Sequence, residues 1–245
     1  MSEEQEVHRA RSWVATIITL LFVLALGAFV WRIVFFTQQI RSGGVNLADL
    51  NFDKTVSTIS KLASEPIKGQ AIDVTSSDDP SLGTPGAPVT IVEFADFGCP
   101  YSKEASFIIR TLAAQYPDKF HLIYRDFPIT ELHPTAEQAA EAGECAHEQG
   151  KFWEYHDKLY QNQDTLDNSS FDTFATALNL DVTKFHACLS SGKYKDEVAK
   201  DYQDGVNADV RGTPTFFING NRVAGAIPKD ILEKVLLTVS AQPKK

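Results

Sequence analysis

The sequence has no surplus of basic residues, few cysteines and none of the short signatures of nucleotide or ester chemistry. Lys and Arg number 23 against 32 Asp and Glu, a formal net charge of −9. No Lys/Arg stripe reverses that balance locally, and a phosphate backbone needs a basic face, so no nucleic-acid partner is expected. The absence of a Gly-rich phosphate loop, a dinucleotide fingerprint and a Ser/His/Asp hydrolase elbow argues against those three chemistries. No internal repeat is present. Only three cysteines occur among 245 residues. In the stretch FADFGCPYSKEA, Cys99 is followed three positions later by Ser102, where the spacing asks for a second sulfur.

What is present begins with a long apolar run. Trp13 to Trp31 is nineteen residues without a charge, roughly 30 Å of helix, enough to cross the hydrocarbon core of a bilayer. Tryptophan at both ends suits the headgroup level. The run continues past Arg32 to Phe36, which favours an uncleaved anchor over a signal peptide. Arg9 and Arg11 precede the span and Arg32 and Arg41 follow it, so the basic flanks barely orient it. A short tail before the span and a large domain after it suit a domain held outside the cytoplasm.

The remaining chain reads as an ordinary globular composition, 43% apolar and 22% charged, sufficient for one sizeable core. DKTVSTISKLAS is expected to form one short helix, and SSDDPSLGTPGAP is a cluster of turn residues marking a domain start. Pro88–Ala95 reads as a buried strand. From Pro100 the period changes, and Tyr101, Ala105, Ile108, Ile109, Leu112 and Tyr116 fall on one helical face. KFHLIYRDF reads as a second strand, His133 to about Val206 as helical, and TPTFFI and RVAGA as a hairpin about Asn219-Gly220. Pro228 opens a last helix.

Cys99 falls at the strand-to-helix junction. A helix start offers unpaired N–H groups and the positive end of the macrodipole, which attract an anionic sulfur. The thiolate is the nucleophile of thiol–disulfide exchange, so the position has a chemical reason. An inert buried cysteine is the competing reading.

Several dispersed stretches then carry a resemblance: DDPSLGTPGAPVTIVEFADFGCPYS, YRDFPITELHP, CAHEQGKFWEYHDKLY and GTPTFFINGNRVAGA. In this order, over roughly residues 78–240, they resemble the thioredoxin-fold disulfide oxidoreductases of the DsbA-like branch. The resemblance implies an α/β thioredoxin-like fold with an inserted all-helical subdomain, in addition to the N-terminal transmembrane helix. The organisation becomes a tail at 1–12, an anchor at 13–36, a linker at 37–80, the thioredoxin-like domain at 81–130 and 207–241, and the helical insertion at 131–206.

The resemblance also implies roles. Cys99 is the attacking cysteine, with Pro100 and Tyr101 beside it, and Thr213 and the cis Pro214 form the loop that faces it and binds extended peptide. Glu93, six residues before Cys99, matches a buried acid that shuttles protons; whether it is buried or solvent-facing is open on the residues alone. Ser102 replaces the second cysteine of the oxidising members. Its hydroxyl is expected to donate to the Cys99 thiolate. Without a second sulfur, isomerisation or reduction fits better than net oxidation.

Cys145 and Cys188 read either as buried thiols or as a structural disulfide, and the resemblance favours the disulfide. Their neighbours His147 and His186 suggest zinc, but residues two apart on a helix point to different sides, so no metal site is expected. No cofactor is implied. His133 and His156 read as turn and packing residues. Phe94, Phe97 and Tyr101 are expected to lend apolar surface to the groove. The implied partners are protein substrates bearing thiols or disulfides, the membrane through residues 13–36, and a membrane redox protein. The competing class is a redox-inactive thioredoxin-fold binding or chaperone module that keeps the groove and turns nothing over.

Overall fold

The computed structural model describes residues 22, 26–32 and 72–241. The backbone divides into two compact units, Met1–Phe52 and Asp53–Lys245. In the first, residues 22 and 26–32 are helical. Most of the expected anchor, and the helix expected at DKTVSTISKLAS, lie outside the described residues. Among the described residues no helix is long and apolar enough to cross a membrane.

The second unit is built on a five-stranded sheet. Its strands are β1 (Ser81–Gly83), β2 (Val89–Ala95), β3 (Phe120–Asp126), β4 (Thr215–Ile218) and β5 (Asn221–Ala224), in the order β1-β3-β2-β4-β5. β2 and β3 run parallel in the register Val89↔Phe120 to Ala95↔Asp126. Helix α1 (Pro100–Gln115) makes the crossover between them, the connection a parallel pair requires. The other pairs are antiparallel. β4 and β5 turn through Asn219 (φ 48°) and Gly220 (φ 80°), the two left-handed residues that a tight hairpin demands and Asn-Gly supplies.

β2 is buried on both faces, which explains its near-continuous apolar, β-branched sequence. On one face Val92 and Phe94 pack with Ile123, Phe127, Val210 and Phe217. On the other, Ala95 and Tyr124 meet a helical block made of α2 (Ala136–His147), α3 (Phe152–Gln161), α4 (Asn168–Ala177), α5 (Val182–Ser190) and α6 (Lys195–Asn207). A one-turn 3-10 helix, Gln163–Thr165, joins α3 to α4, and α7 (Lys229–Ser240) closes the chain.

Three local expectations are corrected. The buried stripe of α1 is Ser102, Ala105, Ser106, Ile109, Leu112 and Ala113, whereas Tyr101 is 64% exposed. Ala105, Ile109 and Leu112 lie on that stripe as expected, and Ser102, Ser106 and Ala113 join them. β1 was hidden in a run of turn residues, because three residues give no period to read. Residues 72–80, read as linker, dock on the domain: Ile72 N–H donates to the Gly220 carbonyl at 3.0 Å, and Val74 is buried.

Cys145 of α2 and Cys188 of α5 are joined by a disulfide, with Cα atoms 5.9 Å apart, so neither sulfur is available to a zinc ion. The bond closes a loop across a sequence separation of 43 residues. Replacing both cysteines with alanine is expected to lower stability by about 2–4 kcal/mol, measured by urea unfolding. An unchanged urea midpoint contradicts this.

Candidate active site

The site is assembled from the turn between β2 and α1, the loop before β4, and one residue of the helical block. Cys99 caps α1 with an extended backbone (φ −82°, ψ 122°), and Pro100 takes the first helical position, where its missing N–H costs nothing.

Asp96 shapes the turn. Its buried carboxylate accepts the Gly98 N–H at 2.6 Å and the Ile129 N–H at 2.9 Å, and meets His133 Nδ1 at 2.8 Å. Its carbonyl accepts the Cys99 N–H at 3.0 Å and the Tyr160 hydroxyl at 3.4 Å. A Cβ on Gly98 would lie 2.3 Å from the Cβ of His133, so only glycine lets the turn lie against that imidazole. Gln163, 64 residues downstream of Cys99, donates through Nε2 to the carbonyls of both Phe97 (2.8 Å) and Cys99 (2.9 Å). The helical block thereby holds the two carbonyls that frame the cysteine.

Cys99 is 6% exposed. Its sulfur forms no bond to the amides of the first turn. Instead its S–H donates to the carbonyl of Thr213 at 3.2 Å. The Thr213–Pro214 bond is cis, Pro214 is buried, and its carbonyl accepts the Gly225 N–H at 2.8 Å, tying the loop to the end of β5. The Thr213 hydroxyl is buried without a partner. The structure thus brings Cys99 against the Thr213–Pro214 loop, and the sulfur's contact is a carbonyl rather than a helix amide.

Ser102 departs from expectation. It is fully buried, and its hydroxyl accepts the Asp96 N–H at 3.4 Å; no hydrogen bond joins it to Cys99. It is the third residue of α1 and lies on the helix's buried stripe. Phe94 and Phe97 are 0% and 1% exposed and offer no groove surface. Phe94 packs edge-on against Phe127 and Phe217. Phe97 stacks on Tyr124 and lies 4.9 Å from the Tyr160 ring. Tyr101 alone of the three faces solvent.

Glu93 is 1% exposed, paired across the ladders with Tyr124 and Phe216. Both carboxylate oxygens lack a hydrogen-bond partner, and burial pushes its pKa up to about 8. It makes no hydrogen bond to Cys99 or Ser102. His156 is fully buried among the rings of Phe97, Tyr124, Phe152 and Trp153, and burial lowers its pKa, in keeping with a packing residue. The sequence reading missed Asp96, His133 and Gln163 as site-shaping groups. The Asp two residues before a Gly was a readable turn signal; nothing near Gln163 marked it.

The family profile described as Thioredoxin (Thioredoxin_4) matches residues 75–237, more than half of the chain. A Na(+)/H(+) antiporter NhaA 3 from Salinispora tropica is 37% identical over 182 residues, covering 74% of this chain and 28% of that protein. The chain spans little more than a quarter of the length of the curated relatives it matches first. Among solved structures, a thioredoxin-like oxidoreductase from Silicibacter pomeroyi superposes with a TM-score of 0.58 at 24% identity, covering 69% of this chain and 95% of that one. BdbD from Bacillus subtilis, in its oxidised form, gives 0.61 at 21% identity, covering 69% and 96%. The two structural likenesses carry the fold, and the profile carries the family: the chain belongs to the thioredoxin family.

Proposed function

We infer that the chain is a membrane-anchored thiol–disulfide oxidoreductase that works on protein thiols and disulfides through the single sulfur of Cys99. The observation that carries the reading is the Cys99 sulfur at the head of α1, 3.2 Å from the carbonyl of Thr213. A peptide laid along the Thr213–Pro214 loop would bring its own sulfur to Cys99. Pro100, the exposed Tyr101 and Thr213 would line that approach. The thiol–disulfide exchange protein α-DsbA2 of Wolbachia pipientis, 22% identical and similar in fold, supports the same chemistry.

The step balances with two sulfurs of the substrate. The Cys99 thiol loses its proton to solvent, its sulfur attacks a substrate disulfide, one S–S bond breaks as another forms, and the leaving thiolate takes up a proton. A second thiol, of the same substrate or a small thiol such as glutathione, then attacks the mixed disulfide and releases Cys99 reduced. Reshuffling is redox-neutral, and reduction consumes the small thiol. Net oxidation needs an electron acceptor, for which a membrane redox partner is the natural class.

Anchoring through residues 13–36 rests on the uncharged run Trp13–Trp31 and its length against a bilayer. An extracytoplasmic domain, periplasmic or at the cell surface, is supported by the Cys145–Cys188 disulfide, since such bonds persist in oxidising compartments.

The test uses the full-length chain in detergent with a scrambled disulfide protein and reduced glutathione. The parent is expected to accelerate recovery of native disulfides at least about tenfold over buffer, and Cys99→Ala to give no acceleration. Equal acceleration by Cys99→Ala, or none by either, overturns the reading; the second result points to a binding or chaperone module.

A further inference from the structure

Gln163 stands 64 residues beyond Cys99 in the chain and grips the turn that carries it. Its Nε2 donates to the Phe97 carbonyl at 2.8 Å and to the Cys99 carbonyl at 2.9 Å. A carbonyl only accepts, so the amide nitrogen, not its oxygen, must face the pair. That nitrogen carries two hydrogens, one for each carbonyl. A single side chain therefore bridges the peptide groups on both sides of Gly98.

The other side of the turn is held by residues close in sequence. The Asp96 carboxylate accepts the Gly98 N–H, and the Asp96 carbonyl accepts the Cys99 N–H. Those contacts fix the N–H groups. The direction of the Cys99 carbonyl is set by its ψ, here 122°. That carbonyl accepts the Lys103 N–H at 3.1 Å, as the first hydrogen bond of α1, as well as the Gln163 amide. The Lys103 bond belongs to a helix end, and helix ends fray; Gln163 ties the same carbonyl to a separate element.

Gln163 is itself well seated. It opens the 3-10 helix Gln163–Thr165, in which the N–H and hydroxyl of Thr165 both donate to the Asn162 carbonyl, at 2.9 and 3.1 Å. The adjacent Asp164 lies 3.7 Å from Lys103 Nζ. The short helix thus meets the start of α1 at two points.

Given the exchange reaction inferred for Cys99, on which this rests, we propose that Gln163 is a positioning residue. It locks the turn, keeps the Cys99 sulfur against the Thr213–Pro214 loop, and so makes the site selective for a polypeptide laid along that loop over small thiol reagents. Gln163 acts through the backbone of the turn, since its hydrogen bonds go to carbonyls and not to the sulfur. In the parent the sulfur is 3.2 Å from the Thr213 carbonyl and Cys99 is 6% exposed. Without the bridge, the ψ of Cys99 is free to vary, and the sulfur leaves the loop and is easier to reach. A peptide disulfide needs sulfur and loop in register, and small misplacements of a reacting atom carry large rate costs. A small alkylating agent needs only access.

The test compares two reagents on the full-length chain in detergent. A disulfide-bonded peptide forms a mixed disulfide; iodoacetamide bonds its carbon to the sulfur as iodide leaves and the thiol proton passes to solvent. Initial rates at Cys99 are read by mass spectrometry after an acid quench. Gln163→Met keeps the length of the side chain and removes both donors. It is expected to lower the peptide rate about tenfold or more while the iodoacetamide rate stays level or rises. Gln163→Glu, which sets a carboxylate against two carbonyls, is expected to do at least as much. A side chain that only stabilised the fold would move both rates together, so the ratio of the two rates is the measure. Gln163 is half-buried, and Gln163→Ala gives the same ratio should the Met variant not fold. A parent that is alkylated at Cys99 yet forms no mixed disulfide overturns the exchange reading and this role of Gln163 with it. A parent that exchanges, with a variant ratio within about twofold of its own, overturns the role of Gln163 alone.

Discussion

Replacing Ser102 with cysteine is expected to turn a one-sulfur site into a two-electron couple. Cys99 caps α1 and residue 102 is the third helical position, so the two side chains leave the same first turn of helix. In the parent, a mixed disulfide at Cys99 waits for a thiol from solution at millimolar concentration. In Ser102→Cys the resolving sulfur is part of the same turn, and an intramolecular attack of this kind competes at effective concentrations far above millimolar. Mixed disulfides trapped by acid quench should fall at least about a hundredfold in lifetime. With glutathione disulfide, an oxidised form of the variant should accumulate in which Cys99 is bonded to the sulfur introduced at position 102. The structural penalty should be small, about 1 kcal/mol or less, because the hydrogen bond lost is the long one from Asp96 N–H. A mixed disulfide as long-lived in Ser102→Cys as in the parent would show that residue 102 does not reach Cys99.

Glu93 carries the second large effect, on stability. Its carboxyl has an ordinary value of 4.5 in the unfolded chain and is pushed up to about 8 in the fold by burial. Between those values the folded protein holds a proton that the unfolded chain has released. Folding stability therefore falls as pH rises from 4.5, and the fall ends near 8, where Glu93 ionises in the folded state as well. At neutral pH the loss is on the order of 3 kcal/mol. Glu93→Gln has nearly the same shape and no charge, so its stability should lack this decline and exceed the parent's by that amount at about pH 7, with little difference near the ordinary carboxyl value. Urea unfolding at several pH values measures both curves. Parallel parent and Glu93→Gln profiles would contradict a buried, unpaired carboxyl.

The sequence made the architecture legible where a period or a turn rule operates. The crossover from β2 through α1 to β3 follows from a β-branched run giving way to helical spacing at Pro100, and the β4–β5 hairpin from Asn219-Gly220. Tyr101 is misplaced by its apolar ring: it stands at the second position of α1 and is exposed, while the polar Ser102 and Ser106, which a hydrophobic count passes over, are buried. The cysteine and its proline loop, 114 residues apart in the chain, were brought together in the reading by family resemblance rather than by any local signal. The same limit explains why Gln163 is not legible in the sequence.

The account's central claim, that Cys99 is a substrate-facing nucleophile with no partner sulfur of its own, is tested most directly by mass spectrometry. The full-length chain is incubated with a disulfide-bonded peptide, quenched in acid, digested without reductant and mapped. The account predicts one peptide adduct per chain, attached at Cys99 in the acid-quenched samples and released by added thiol, with Cys145 and Cys188 still joined to each other. An unmodified Cys99 after prolonged incubation, or an adduct found at Cys145 or Cys188 instead, would contradict it.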